Sequence, residues 1–219
     1  MPRTTATTAP APAAVPRRGR PRDAGRDRAL LDATLAVLGE SGYAALTTAA
    51  VAARAGTSTA TLYRRWSSKE DLVIAAATTY SEGLDVDTDT GGVEGDLRAL
   101  LRDKAAALTG EGGRVLRALI GEATHNTALA EALTAAVLAP VHRRIGGIVR
   151  RAVARGEIPP PADTDLLGDV VVGPIVSHFF LTARLPDQVD PATAEATADR
   201  LLPFALRALG GTVGGHDGR

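Results

Sequence analysis

The chain has no cysteine. That excludes disulfides, thiolate metal sites and cysteine nucleophiles. Aromatic residues are scarce, at 3%, with one Trp, three Tyr and three Phe. The core must therefore be built from Ala, Leu and Val, a composition that favours helices because Ala and Leu lead the helix propensity scale. No apolar run reaches the ~20 residues that a membrane helix needs. The N-terminus lacks the compact apolar stretch of a secretory signal, so a cytoplasmic protein is expected, with no membrane partner. There is no Gly-x-Ser-x-Gly, no Walker loop, no GxGxxG after a strand and no His-Glu-x-x-His. No catalytic constellation is legible, and no enzyme and no cofactor are expected.

The 219 residues suit one large domain or two small ones, and 45% are apolar. A net charge of zero hides a split. Residues 1–83 carry 11 Lys/Arg against 7 Asp/Glu, and residues 84–219 carry 14 against 18. Five arginines precede the first acid, Asp23. A basic front and an acidic back point to a polyanionic partner for the front alone.

Residues 1–16 are mostly Thr, Ala and Pro, and 17–22 read Arg-Arg-Gly-Arg-Pro-Arg. Together, 1–22 are expected to form a disordered basic arm. Helical periodicity starts at Leu30, Leu31, Thr34, Leu35 and Leu38, and Gly42 is expected to end this first helix. Short helices over about Thr48–Ala55 and Thr59–Arg65 follow, separated by Gly56. A fourth runs from a capping box at Ser67–Asp71 to about Glu82. The Gly- and Asp-rich stretch 83–92 reads as the boundary between a first domain, 23–83, and a second, 84–210. Asp85, Asp87 and Asp89 lack the later Gly and Glu of a calcium loop, so they read as solvated linker. The second domain is expected to hold helices at 93–109, 112–124, 128–155, 163–183 and 191–209. Pro140 should kink or split the third of these. Pro174 should bend the fourth or mark a tight helix contact beside Gly173. Residues 211–219 read as a flexible tail.

Thr47–Leu72 carries the most information. A helix-turn-helix needs a small residue where its helices touch, here Ala52. Its turn needs a residue that tolerates positive φ, here Gly56. With Leu62 as the inward anchor, a rotation of about 100° per residue aims Ala60 and Arg64 outward, flanked by Thr61 and Tyr63. That is the face a major groove would meet.

The same stretch resembles the DNA-binding domain of the tetracycline-repressor (TetR) family. Thr47, Val51-Ala52, Ala55-Gly56, Ser58, Thr61-Leu62-Tyr63, Lys69-Glu70 and Leu72 fall in that family's register, and Ala33, Leu38, Gly42 and Tyr43 fit its first helix. Thr57 departs from the family's usual Val, and Arg64-Arg65-Trp66 from its x-His-Phe. The resemblance implies an all-α fold of about nine helices. An N-terminal three-helix DNA-binding domain would precede a C-terminal ligand-binding and dimerisation domain. It also implies that Thr47, Tyr63 and Lys69 clamp phosphates, with Arg65 keeping a donor at the usual His position. Ser58, Thr59, Ala60, Thr61 and Arg64 are the candidates for base edges. In the arm, Arg18-Gly19-Arg20-Pro21 resembles an AT-hook core, so Arg18 and Arg20 are expected in a minor groove.

Resemblance in the second half is weaker. It implies that the helices at about 163–183 and 191–209 pair across a two-fold axis into a four-helix bundle. The apolar character of 166–181 on nearly all sides agrees. A small-molecule effector is expected among the helices of 93–183, with His178 and Phe179 as candidate contacts. The alternative for His178 is an interior, hydrogen-bonded histidine. His125, His142, His178 and His216 have no metal-ligand spacing, so no metal is expected. The resulting expectation is a homodimeric, nucleoid-associated repressor, released from a near-palindromic operator in double-stranded DNA by a ligand. The rivals are an activator, an AT-rich nucleoid-type binder and, more remotely, a helical enzyme.

Overall fold

The computed structural model describes residues 24–82, 88–161, 166–180 and 188–210. Every regular element among them is helical. The first unit is α1 (Ala24–Ala45), α2 (Thr48–Arg54), α3 (Thr59–Tyr63) and α4 (Lys69–Glu82). The rest is α5 (Val93–Ala107), α6 (Gly110–Ala123), α7 (Thr127–Leu133), a π-helical turn (Thr134–Leu138), α8 (Ala139–Ala154), α9 (Leu167–Phe180) and α10 (Pro191–Ala208).

Local chemistry explains the boundaries. α1 breaks at Gly42, whose φ of 76° and ψ of 172° suit a residue without Cβ. Thr47, Ser58, Asn126 and Asp190 cap their helices by accepting the amides of Ala50, Thr61, Leu129 and Thr193. The capping box is present at the start of α4: the Asp71 amide donates to Ser68 Oγ at 2.9 Å, and Ser67 Oγ donates to the Asp71 carboxylate. These bonds hold the Asp71 carboxyl below the usual range, Ser67 contributing most. The expected split at Pro140 takes the form of the π-helical turn. Proline has no N–H for the preceding turn and its ring crowds the carbonyl four residues back, so the helix widens just before it. Pro174 lies inside α9 without ending it. The tight contact expected beside it falls instead at Gly168, where a Cβ would run into the His142 ring. Nothing stands within 4 Å of a Cβ placed on Gly173.

Among the described residues there are two apolar cores. One joins Leu30 and Leu38 of α1, Leu46 between α1 and α2, Val51 of α2, Leu62 of α3 and Leu72 of α4 to Val115 and Leu119 of α6 and Leu129 and Leu133 of α7. The first four helices are thus welded to the second half rather than tethered to it. The other core joins Leu97, Leu100 and Leu101 of α5 to Ile145 and Ile148 of α8, Ile175 of α9, and Leu202 and Leu206 of α10. Ion pairs pin its helices. Asp199 of α10 accepts from Arg102 at 3.0 and 2.6 Å and from Arg98 at 3.3 Å. Asp96, fully buried, accepts from Thr90 N (2.7 Å), Thr90 Oγ1 (2.8 Å) and Arg151 (3.3 Å). Burial alone would raise the Asp96 pKa, but these donors outweigh it and hold the carboxyl below its ordinary value. Among the described residues no helix is long and apolar enough to cross a membrane.

Candidate nucleic-acid interface and ligand cavity

α2 and α3 meet through a turn at Gly56, which adopts φ 63°. Val51, Ala52 and Leu62 are buried at the junction, and Leu62 is wholly inaccessible. With Leu62 inward, Ser58, Thr59, Ala60, Tyr63 and Arg64 are exposed and Thr61 is half-buried. α3 therefore offers a short, polar, solvent-facing edge held from behind by one apolar anchor. Three side-chain contacts set its shape. Ser58 Oγ and Thr61 Oγ1 lie 3.1 Å apart, Arg64 donates to Thr61 Oγ1 at 2.9 Å, and Thr48 Oγ1 and the Tyr63 hydroxyl lie 3.1 Å apart. α2 is fixed to α1 by a bidentate pair, Arg54 to Glu40, at 2.5 and 2.7 Å. That pair lowers the Glu40 pKa. Thr47 is exposed beside the N-terminus of α2.

Arg65 and Lys69 are held differently. Arg65 is half-buried, paired with Asp27 of α1, and donates to the Thr61 carbonyl at 3.3 Å. Lys69 Nζ donates to the Tyr43 carbonyl at 2.5 Å and sits 4.2 Å from the centre of the Tyr43 ring. Both cations are engaged inside the protein, whereas Arg64 and Tyr63 present themselves to solvent. Arg18 and Arg20 lie outside the described residues.

The second half contains a cavity of about 340 Å3 between α4, α5, α6, the π-helical turn, α8 and α9. Its walls are overwhelmingly apolar, with Leu116, Ile120, Val137, Val172, Val176 and Phe180 among them. The polar side chains at its edge are Tyr80, Ser81, Lys104, His142 and Asp169. His142 Nε2 lies 3.3 Å from Asp169 Oδ1. Tyr80 has its hydroxyl pKa raised, first by burial and then by the charge of Glu111.

Comparison with known proteins fits this arrangement. Residues 30–76 match the family described as "Bacterial regulatory proteins, tetR family", and residues 87–201 match "Tetracyclin repressor-like, C-terminal domain". The HTH-type transcriptional regulator Rv1556 of Mycobacterium tuberculosis is 36% identical over 186 residues, 84% of this chain and 90% of that one. The chain belongs to the TetR family. The DNA-binding transcriptional repressor TetR of Mycobacteroides abscessus is 34% identical over 166 residues, spanning 74% of this chain and 86% of that protein. A crystal structure of a TetR-family regulator from Mesorhizobium loti superposes with a TM-score of 0.69 at 22% identity, covering 87% and 100% of the two chains. The protein is thus a TetR-family DNA-binding transcriptional regulator, and its relatives are regulators rather than enzymes.

Within this TetR frame, Thr47, Ser58, Thr59, Ala60, Tyr63 and Arg64 are all exposed, and Thr61, Arg65 and Lys69 are half-buried. His178 and Phe179, expected to contact a ligand, lie on α9 beside this cavity rather than in its lining. His178 is exposed rather than interior, and Phe179 is buried in the core beside it, the two rings edge to face at 5.1 Å. Neither lines the cavity, because α9 turns Val172, Val176 and Phe180 toward it instead. Sequence reasoning missed Tyr80, Lys104 and the His142–Asp169 pair. The one available signal was a histidine at the N-terminal end of an amphipathic helix, which alone does not distinguish a cavity wall from a surface.

Proposed function

We propose that this TetR-family protein is a homodimeric repressor that binds a near-palindromic operator and leaves it when a small apolar molecule fills the cavity beneath α4. One observation carries the reading: α4 follows directly from the DNA-facing helices and also forms a wall of that cavity, through Ala77, Tyr80 and Ser81. A ligand that fits one arrangement of α4 better than another shifts the equilibrium between reading-head positions by its differential affinity.

In this reading Ser58, Thr59, Ala60, Thr61 and Arg64 meet base edges. Arg64 suits the O6 and N7 of guanine, and the Ala60 methyl suits that of thymine. Thr47 and Tyr63 hold phosphates. Lys69 and Arg65 act mainly by fixing α1 against α3 and α4, since their partners are already inside the protein. Arg18 and Arg20 add minor-groove contacts. Exposed apolar side chains support dimerisation through α9 and α10: Leu166, Val170 and Phe204 are 58%, 49% and 64% accessible in the single chain. The domains divide at the stretch 83–92, with α4 serving both. The site of action is the cytoplasmic nucleoid.

The test begins with duplex recovered from a random library, which supplies an operator probe. Two chains per duplex are expected, and a screen of apolar compounds should find one that both raises the melting temperature and releases the probe. A compound that binds in the cavity to saturation without altering probe affinity contradicts ligand release. Binding as a single chain contradicts the dimer.

A further inference from the structure

α4 has a cavity on either side. The apolar one lies against Ala77, Tyr80 and Ser81. A second, of about 290 Å3, lies between α4, α1 and α6 and is edged by Arg28, Asp32 and Glu111. Tyr80, Gly112 and Val115 line both, so the Tyr80 ring and the start of α6 form the partition. The ring is seated on α6 at Gly112, where the missing Cβ leaves room for it. A Cβ on Gly112 would run into the Tyr80 hydroxyl, and would lie 3.2 Å from Tyr80 Cζ and 3.0 Å from the Ala107 carbonyl oxygen. The same stretch of α6 packs on α1: Val115 Cγ2 lies 3.4 Å from where a Cβ on Gly39 would be.

We infer that Tyr80 is the positioning residue that carries occupancy of the apolar cavity to the DNA-binding helices. A molecule filling that cavity drives the phenol off its seat on Gly112 and into the cleft under α1, which changes how α1 sits on α6. This rests on the ligand-release reading above. Three features support it. Close-packed interiors answer added volume by shifting between discrete arrangements rather than by compressing. The cleft is already open, so the ring has somewhere to go. Its rim carries Arg28, Asp32 and Glu111, so the displaced hydroxyl meets hydrogen-bonding groups rather than being stranded. The ring then acts as a wedge between α4 and α1, the helix to which α2 is pinned by Arg54 and Glu40.

The test needs no knowledge of the ligand. Gly112→Ala displaces the ring with a methyl group, and alanine is the better helix former, so α6 itself does not suffer. Its operator affinity should fall about tenfold or more, within the roughly 5–150-fold span of typical allosteric coupling. Tyr80→Ala in the same background should restore affinity to within about twofold of the Tyr80→Ala single variant, because the two sites couple through one contact. Any pressure of the new methyl on the Ala107 carbonyl persists in the double variant, so a loss caused by that contact would not be rescued, whereas one caused by the ring would. Val172→Trp approaches from the α9 wall and puts added bulk into the apolar cavity. It should weaken operator binding similarly and be rescued by the same Tyr80→Ala change. Thermal melts establish that each variant is folded, and if Gly112→Ala is not, the Val172→Trp pair decides.

Folded Val172→Trp that loses affinity but is not rescued by Tyr80→Ala overturns the role of Tyr80 while leaving ligand release standing. Folded variants that fill the cavity and bind operator as tightly as wild type overturn both.

Discussion

The two halves of the molecule solve opposite packing problems. At the junction of α2 and α3, Leu62, Val51 and Ala52 are buried, caps close both short helices, and the polar side chains of α3 remain outside. In the second half the helices enclose space that their own side chains do not fill. A reading head must hold a few side chains in fixed register to a groove, so rigidity serves it. If the second half senses a ligand, as proposed, it must keep an equilibrium that a small molecule can move, and an unfilled apolar volume under α4 suits that. Mutations should therefore divide sharply between the halves.

The largest expected effect is at the anchor of the head. Leu62→Ala removes a fully buried side chain at a site that cannot collapse, and should cost about 2–5 kcal/mol of stability together with all operator binding, read by urea titration and a mobility-shift assay. Ile120→Ala at the cavity wall should cost far less, since part of its surface already faces open space; equal losses would break the contrast. Next comes Arg64→Ala, which should leave the melting temperature unchanged and weaken operator binding by about 1–3 kcal/mol while relaxing one base position in each half-site.

Acid should separate the halves by another route. Asp96 has its folded-state pKa lowered, so its contribution to stability is fully present above the ordinary value of 3.8 and is lost as pH falls through its lower folded value. The wild-type melting temperature should therefore fall more steeply below about pH 4 than that of Asp96→Asn, which lacks the titrating group. Parallel curves would remove Asp96 from the account. The smallest effect should be Ser58→Ala, which deletes the α3 cap bond of 3.2 Å and should cost about 1 kcal/mol.

The same contrast explains what could be read from sequence. The head was legible because its function sits where its packing rules leave off. Gly56 fixes the turn, Leu62 fixes the phase, and the outward residues follow. Some helix limits were close: α2 was expected to end at Ala55 and ends at Arg54, and α5 was expected over 93–109 and runs Val93–Ala107, whereas both ends of the helix expected over 163–183 lie outside the described residues. The cavity was not legible, because an apolar side chain lining a void and one packed in a core have the same chemistry. His178 and Phe179 drew attention as polar and aromatic members of an apolar run, yet the helix phase turns Val176 and Phe180 inward. Tyr80 and Gly112 lie 32 positions apart in sequence, and only their contact in three dimensions gives either a meaning. The Arg65–Asp27 and Lys69–Tyr43 contacts are likewise long-range, and no local pattern in the sequence announces them.

The most direct test of this division of labour is selection of bound duplexes from a random library, run in parallel for wild type and Arg64→Ala. Wild type should enrich an inverted repeat, and the variant should enrich the same repeat with one position per half-site degenerate. Enrichment of no motif, or of an identical motif by both proteins, would contradict the assignment of the outward face of α3 as the surface that reads DNA.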